Sequence, residues 1–208
     1  MAIADEKYTR IAGVNYESMV DGEGVRAVIF LSGCSNNCPG CQNWKAQDPE
    51  FGAVCTDELI HEIAEDIKAR PFLSGITLSG GDPMFDPVKT SNFIDALDRE
   101  IGEELDLWIY TGYSMRHLDM SMDCLEYDDD CYLMGSPEDI GIYELMCRAS
   151  HVVDGIFARE LADKTLAFRG SSNQRIWFHA SNGHSVGCHP GCPSYEDVTN
   201  EYDRKVKA

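Results

Sequence analysis

Arg26-Ala-Val-Ile-Phe-Leu-Ser32 is a continuous apolar run, and it leads without a break into Gly33-Cys34-Ser-Asn-Asn-Cys38-Pro-Gly-Cys41. A strand with one wet face alternates in polarity, so an unbroken run points to a strand buried on both faces, as in a parallel sheet. Downstream, Thr56 to Ala69 reads as a helix, with Thr56 as N-cap, Asp57 and Glu58 in the first turn, Leu59, Ile60, Ile63 and Ile67 on one face, and Pro71 past the end. Gly75 to Ser79 is a second short strand that opens into the turn Gly80-Gly81-Asp82-Pro83. Phe93, Ile94, Leu97 and Ile101 mark a second amphipathic helix, and Leu105 to Tyr110 a third strand ending at Thr111-Gly112-Tyr113. A helix over Pro137 to Ala149 and a fourth strand, His151 to Val153, follow, the strand ending in Asp154-Gly155. Thr165 to Phe168 and Arg175 to His179 are two further strand-like pieces.

This order predicts an α/β protein with a parallel sheet and right-handed crossovers. Each unusual stretch falls just after a strand. In parallel α/β folds the carboxyl ends of the strands are where loops assemble a site. Cys34 to Cys41, Gly80 to Pro83, Thr111 to Tyr113 and Asp154-Gly155 are therefore expected to line one pocket.

With 208 residues the chain is expected to form one main domain, over residues 1–180, with an insertion at about 114–136 and a C-terminal tail at 181–208. Its 17 Lys+Arg against 36 Asp+Glu give a net charge of −19. Such a field repels phosphate backbones and anionic lipid, and no run of Lys or Arg offsets it, so neither nucleic acid nor a membrane is expected as a partner. No apolar stretch reaches the ~20 residues of a spanning helix, and Met1 to Arg10 lacks the apolar core of a signal peptide. Nine cysteines, an odd number without a secretory signal, suggest a reducing, cytoplasmic setting in which thiols serve metals or catalysis.

Cys34, Cys38 and Cys41 place three thiols within eight residues, with Gly33, Pro39 and Gly40 to make the turns. Thiolates select zinc, copper(I) or iron–sulfur clusters. Structural zinc wants four ligands, for which Cys55 and His61 are the nearest further candidates; a ferredoxin-type run would need a cysteine-proline where Gln42-Asn43 stands. Three thiolates on a four-iron cubane leave one iron open to a small chelating ligand with an amine and a carboxylate. Ser79-Gly80-Gly81-Asp82-Pro83 is a turn that such a ligand can approach closely, with Asp82 or nearby carbonyls accepting from its ammonium group.

Taken together, Cys34-Ser-Asn-Asn-Cys38-Pro-Gly-Cys41 and Ser79-Gly-Gly-Asp-Pro83 resemble the signatures of the radical S-adenosylmethionine enzymes. More narrowly, Asp21-Gly-Glu-Gly-Val-Arg26, the cysteine loop with Asn43, Leu78 to Pro83, Tyr110-Thr-Gly-Tyr113, Val153-Asp-Gly155 and Arg169-Gly-Ser-Ser-Asn-Gln174 resemble, in order, the activating proteins of anaerobic (class III) ribonucleotide reductase. The resemblance implies a partial (βα) barrel and a 4Fe-4S cluster on Cys34, Cys38 and Cys41. It also implies S-adenosylmethionine held by Ser79, Gly80, Gly81 and Asp82 with Asn43, Tyr110 and Thr111. The implied activity is that of a glycyl radical activase: the cofactor is cleaved to a 5′-deoxyadenosyl radical that takes a Cα hydrogen from a glycine of the reductase. A small electron donor such as a flavodoxin is implied as a second partner. Gln42 stands where the subfamily commonly has an aromatic, leaving Trp44, Tyr110 and Tyr113 as candidates for packing the adenine.

Two rivals remain open: a radical enzyme acting on a small molecule, as in deazapurine biosynthesis, and a non-catalytic metal-binding module. Gly22-Glu-Gly24-Val-Arg-Ala27 fits a dinucleotide fingerprint but precedes a strand, which favours a turn. Asp128, Asp129 and Asp130 read as a solvated face within a partly helical insertion. His184, Cys188, His189 and Cys192 form either a second metal site or exposed side chains of the tail. Cys55, Cys124, Cys131 and Cys147 read as structural or incidental thiols.

Overall fold

The apolar run that opens the sequence reading is a strand whose residues are buried on both faces. In the computed structural model, which describes residues 6–123, 125–127, 133–180 and 194–207, it is the second strand of a mixed α/β fold. The elements run β1 (Ile11–Ser18), β2 (Arg26–Leu31), α1 (Asp57–Lys68), β3 (Gly75–Gly80), α2 (Pro87–Ile101), β4 (Leu107–Tyr110), α3 (Met115–Asp123), β5 (Glu126–Tyr127), β6 (Leu133–Met134), α4 (Pro137–Arg148), β7 (His151–Asp154), β8 (Arg175–His179), β9 (Tyr195–Asp197) and α5 (Thr199–Lys207). Among the described residues the main sheet has seven strands in the order β1-β2-β3-β4-β7-β8-β9.

Only the centre of that sheet is parallel. β2, β3, β4 and β7 pair in parallel, whereas β1 pairs antiparallel to β2, β8 to β7 and β9 to β8. The expected parallel sheet is thus corrected to a mixed one, because β1, β8 and β9 add to its edges antiparallel, a pairing that requires no crossover helix. Alternate residues of the central strands part to opposite faces. Ala27, Ile29, Leu31, Ile76, Leu78, Leu107, Ile109 and Val152 join the helices in the larger core, while Trp108, Val153 and Ile176 face a smaller cluster with Ala167 and Tyr202. Two buried faces explain the unbroken apolar runs.

Local chemistry sets the helix starts. Thr56, Asp86 and Ser136 each accept a backbone N–H with the side chain at the N-cap, and Pro stands in the first turn of α2 and α4. Two expectations need correction. The third strand starts at Leu107; just before it the Leu105 carbonyl accepts from Arg148, and the Asp106 carbonyl is shared by Arg26 and Ile76 N–H of β3. Thr165 to Phe168 forms turns, because Asp163 captures both the backbone N–H and the hydroxyl of Thr165. The segment around Ser114 to Ser136 is partly helical as expected, with Leu118 of α3 fully buried. Asp128, Asp129, Asp130, Cys124, Cys131, His184, Cys188, His189 and Cys192 lie outside the described residues. Residues 194–207 join the sheet through β9 and α5. Among the described residues no helix is long and apolar enough to cross a membrane.

At the amino ends of the parallel strands Arg26 is 1% exposed and all five of its N–H groups are satisfied. They donate to Thr77 Oγ1, Glu23 O, Asp106 Oδ2, Ile76 O and Asp106 O. Beside it, His151 stacks on Trp108 at 4.2 Å, with Tyr202 hydroxyl at Nε2 and Ser150 hydroxyl at Nδ1. Burial pushes the His151 imidazole down from 6.5 to about 4, against the attraction of Asp106 and Glu23 and helped by the charges of Arg26 and Lys205. Above pH 6.5 this residue is neutral folded and unfolded; as the pH falls toward 4 only the unfolded chain takes the proton, so stability is lost across that window. The loss amounts to at most about 3 kcal/mol. Urea titrations at pH 6.5 and 4.5 should show a smaller loss in His151→Phe, which keeps the stacking but cannot titrate; equal losses would exclude this role.

Candidate functional site

The four parallel strands deliver their chains to one end of the sheet, where a cavity of about 650 Å³ opens. Its wall holds Cys34, Cys38, Cys41 and Asn43 after β2, and Ser79, Gly80, Gly81 and Asp82 at the end of β3. Tyr110 and Thr111 at the end of β4, and Gly155 after β7, complete that side. The three cysteines, Ser79 to Asp82, Asn43, Tyr110 and Thr111 therefore line one space. Trp44 and Tyr113 do not line it: Trp44 is 65% exposed, leaving Tyr110 as the aromatic candidate in the wall. Cys55 and His61 also stand apart from it. Cys55 is buried in the core, where burial pushes its thiol up to about 12, and His61 pairs with Glu100 on the surface.

The cysteine loop is pinned at its start to the short 3-10 turn Trp44–Gln47: Gly33 N–H donates to Ala46 O and Cys34 N–H to Gln47 O. The glycine turn is zipped against it, with Gly81 N–H donating to Leu31 O and Asp82 N–H to Gly33 O. Two glycines make that contact possible. Gly80 has φ +104°, and a Cβ on Gly81 would stand 2.3 Å from Gly33 O and 2.7 Å from Ala46 O. No side chain fits between these backbones.

Asp82 is 3% exposed, and its carboxylate accepts from four donors. Met84 N–H and Thr111 Oγ1 donate to Oδ1 at 3.0 and 2.8 Å; Asn36 Nδ2 and Gly112 N–H donate to Oδ2 at 3.1 and 2.9 Å. Burial nonetheless pushes the carboxyl above its usual range. With four donors on its two oxygens, Asp82 is a brace between the loops after β2, β3 and β4. Asn36 also donates to Cys34 Sγ at 3.6 Å. A second buried carboxylate, Asp154, accepts Met115 N–H and Arg175 N–H, tying α3 and β8 to the end of β7.

Arg169, Gly170 and Gln174 also line the cavity, with Phe168 and other residues before them. Gln174 Oε1 accepts Gly170 and Ser171 N–H, its Nε2 donates to Gly155 O, and Asn173 Nδ2 donates to Ile156 O. Tyr110 hydroxyl donates to Phe168 O at 2.8 Å, and burial pushes its phenol well up. Of the charged side chains in the wall, Arg169 pairs with Asp203 and Asp21 accepts from Ser18, while Lys164 is exposed. Among the described residues no three His, Cys, Asp or Glu side chains are grouped as a single metal ion requires. A cubane takes its thiolates at separate irons, so three soft donors along one wall suit such a cluster better than one zinc ion.

Comparison with known proteins points to a 4Fe-4S domain. A family model described as a 4Fe-4S single cluster domain matches residues 20–177, a span that contains the cysteine loop and the glycine turn. The anaerobic ribonucleoside-triphosphate reductase-activating protein of Haemophilus influenzae is 33% identical over 163 residues, 76% of this chain and 90% of that protein. The protein of the same name from Vibrio cholerae is 34% identical over 161 residues (76% and 90%), and that of enterobacteria phage T4 29% over 160 (76% and 86%). The chain belongs to this activating-protein family.

Within the activating-protein site, reasoning from sequence missed Asn36 as a link, as well as the wall residues Phe157, Lys164 and Phe168. The place of Asn36 between two cysteines was the one local signal; the others come together only through the fold. The brace has a direct test. Asp82→Asn sets an amide N–H₂ against donors, which should destabilise the protein by on the order of 1–3 kcal/mol. It should also lower the iron retained after anaerobic reconstitution, measured by denaturant titration and metal analysis. Unchanged stability would remove the brace.

Proposed function

We propose that the protein is a cytoplasmic glycyl radical activating enzyme for an anaerobic ribonucleotide reductase, built as a partial (βα) barrel of the radical S-adenosylmethionine type. The observation that carries the proposal is the shared cavity: three cysteine side chains and the Gly80-Gly81 turn line the same space at the carboxyl ends of adjacent parallel strands. Its volume of about 650 Å³ lies within the ~300–1,000 Å³ typical of small-molecule sites. The family relatives bear the name of this activity.

In this reading Cys34, Cys38 and Cys41 hold a 4Fe-4S cluster, and the carbonyls around Ser79 to Gly81 accept from the ammonium of S-adenosylmethionine. When bound, the pair supplies one-electron cleavage of the carbon–sulfur bond, giving methionine and a 5′-deoxyadenosyl radical able to take a glycine Cα hydrogen. The protein's work is then positional. Asp82 keeps the glycine turn beside the cysteine loop, Tyr110 and Thr111 wall the cavity, and the Arg169 to Gln174 segment closes its far side and limits water. Homolytic hydrogen transfer moves proton and electron together and needs no general base. A small one-electron donor such as a flavodoxin completes the proposal.

Anaerobic reconstitution with iron and sulfide, followed by dithionite and S-adenosylmethionine, should yield 5′-deoxyadenosine from the wild type and none from Cys38→Ala. Addition of the reductase should give a glycyl doublet in electron paramagnetic resonance. Cofactor cleavage without that doublet would replace the activase reading with the small-molecule one; no cleavage at all would overturn both.

A further inference from the structure

Phe168 and Arg169, consecutive residues of the cavity wall, are each held from behind by consecutive residues of α5. Phe168 has φ +48°, a left-handed conformation rare for a bulky side chain, and such a conformation persists only where the surroundings impose it. Its ring meets Tyr202 edge-on at 5.5 Å, and Tyr202 is 6% exposed between Phe168 and Trp108. The Arg169 side chain, 3% exposed, forks: one arm donates to Asp203 and the other to Gln174 O at 2.9 Å. Gln174 in turn organises Gly155, Gly170 and Ser171. The same Tyr202, through its hydroxyl, and Lys205 one turn on both hold Glu23. α5 lies beyond the 20–177 span that the family model matches.

We infer that α5 is a latch on the cavity wall, with Asp203 the positioning residue that sets the Arg169 to Gln174 segment through Arg169. The salt bridge fixes the guanidinium, the guanidinium fixes the Gln174 carbonyl, and the Gln174 amide fixes Gly155, Gly170 and Ser171. Tyr202 holds the adjoining Phe168 in its strained form. When α5 lifts, Phe168 keeps Trp108 and the Tyr110 hydrogen bond but loses Tyr202, one of the contacts that impose its backbone, and the wall is freer to relax away from the cavity. Entry and retention of a ligand thus become coupled to a C-terminal helix that itself touches no ligand. The ligand part of this inference rests on the cofactor reading above; the mechanical part does not.

Hydrogen exchange of the isolated protein separates the two. In Asp203→Ala the amides of Gly170, Ser171 and Gln174 should exchange at least about tenfold faster while those of β3 keep their rates. Asp203→Glu should restore most of the protection, and Arg204→Ala, an exposed change on the same helix, should leave it intact. In the reconstituted protein, Asp203→Ala should weaken S-adenosylmethionine binding about tenfold in equilibrium dialysis, with recovery in Asp203→Glu. Wall amides that exchange at the wild-type rate, or a rise spread equally through β3, would overturn the latch. If the reconstituted wild type binds no S-adenosylmethionine, the cofactor reading falls and the exchange data alone decide the latch.

Discussion

One buried carboxylate holds the cavity side of the molecule together. Asp82 sits on the glycine turn, yet its four donors come from the cysteine loop, its own turn and the loop after β4. Backbone hydrogen bonds already zip the glycine turn to the start of the cysteine loop, and the Asp82 side chain adds the links to Asn36 farther along that loop and to Thr111 and Gly112 after β4. The arrangement costs desolvation of a charge, offset by charge-assisted hydrogen bonds that each fix a different loop. Site geometry is therefore set by one side chain that the ligands need never touch.

The opposite end of the sheet is built on the complementary principle. Arg26 joins the starts of β2 and β3 and the approach to β4, satisfying every N–H it carries. A buried cation at the amino ends and a buried anion at the carboxyl ends fix the register of the parallel strands from both sides. Between them lie mostly apolar residues such as Val28, Ile29, Leu78 and Ile109, with Thr77 the buried polar exception that meets Arg26. The recognition surface can thus be built on irregular loops because the scaffold below them has no freedom to slide.

Much of this was legible in the sequence where chemistry is local. Cysteine spacing, glycine pairs after strands, Thr56 as N-cap and the helical periodicity of α1 and α2 all depend on neighbours a few residues away, and they lie where expected. What escaped depends on distant partners. β1, Ile11–Ser18, carries Gly13, Asn15 and Glu17 and earns its place only by pairing with β2 through two irregularities. Asp82 reads as a ligand-facing acid until the donors from Asn36, Thr111 and Gly112 are seen to occupy it. Thr165 to Phe168 has strand-like residues, but a side chain two positions before Thr165 bends the backbone first. Residues 194–207 read as an appendage because β9 is short and half polar, and its pairing with β8 is invisible in either segment alone.

The distance along the chain between the thiols and their brace bears on how such a protein is made. Cys41 leaves the ribosome some forty residues ahead of Asp82, and Gly112 follows thirty residues later still. A nascent chain therefore displays three reactive sulfurs before their cradle exists. The geometry of that loop is therefore settled only after the chain as far as Gly112 has been made.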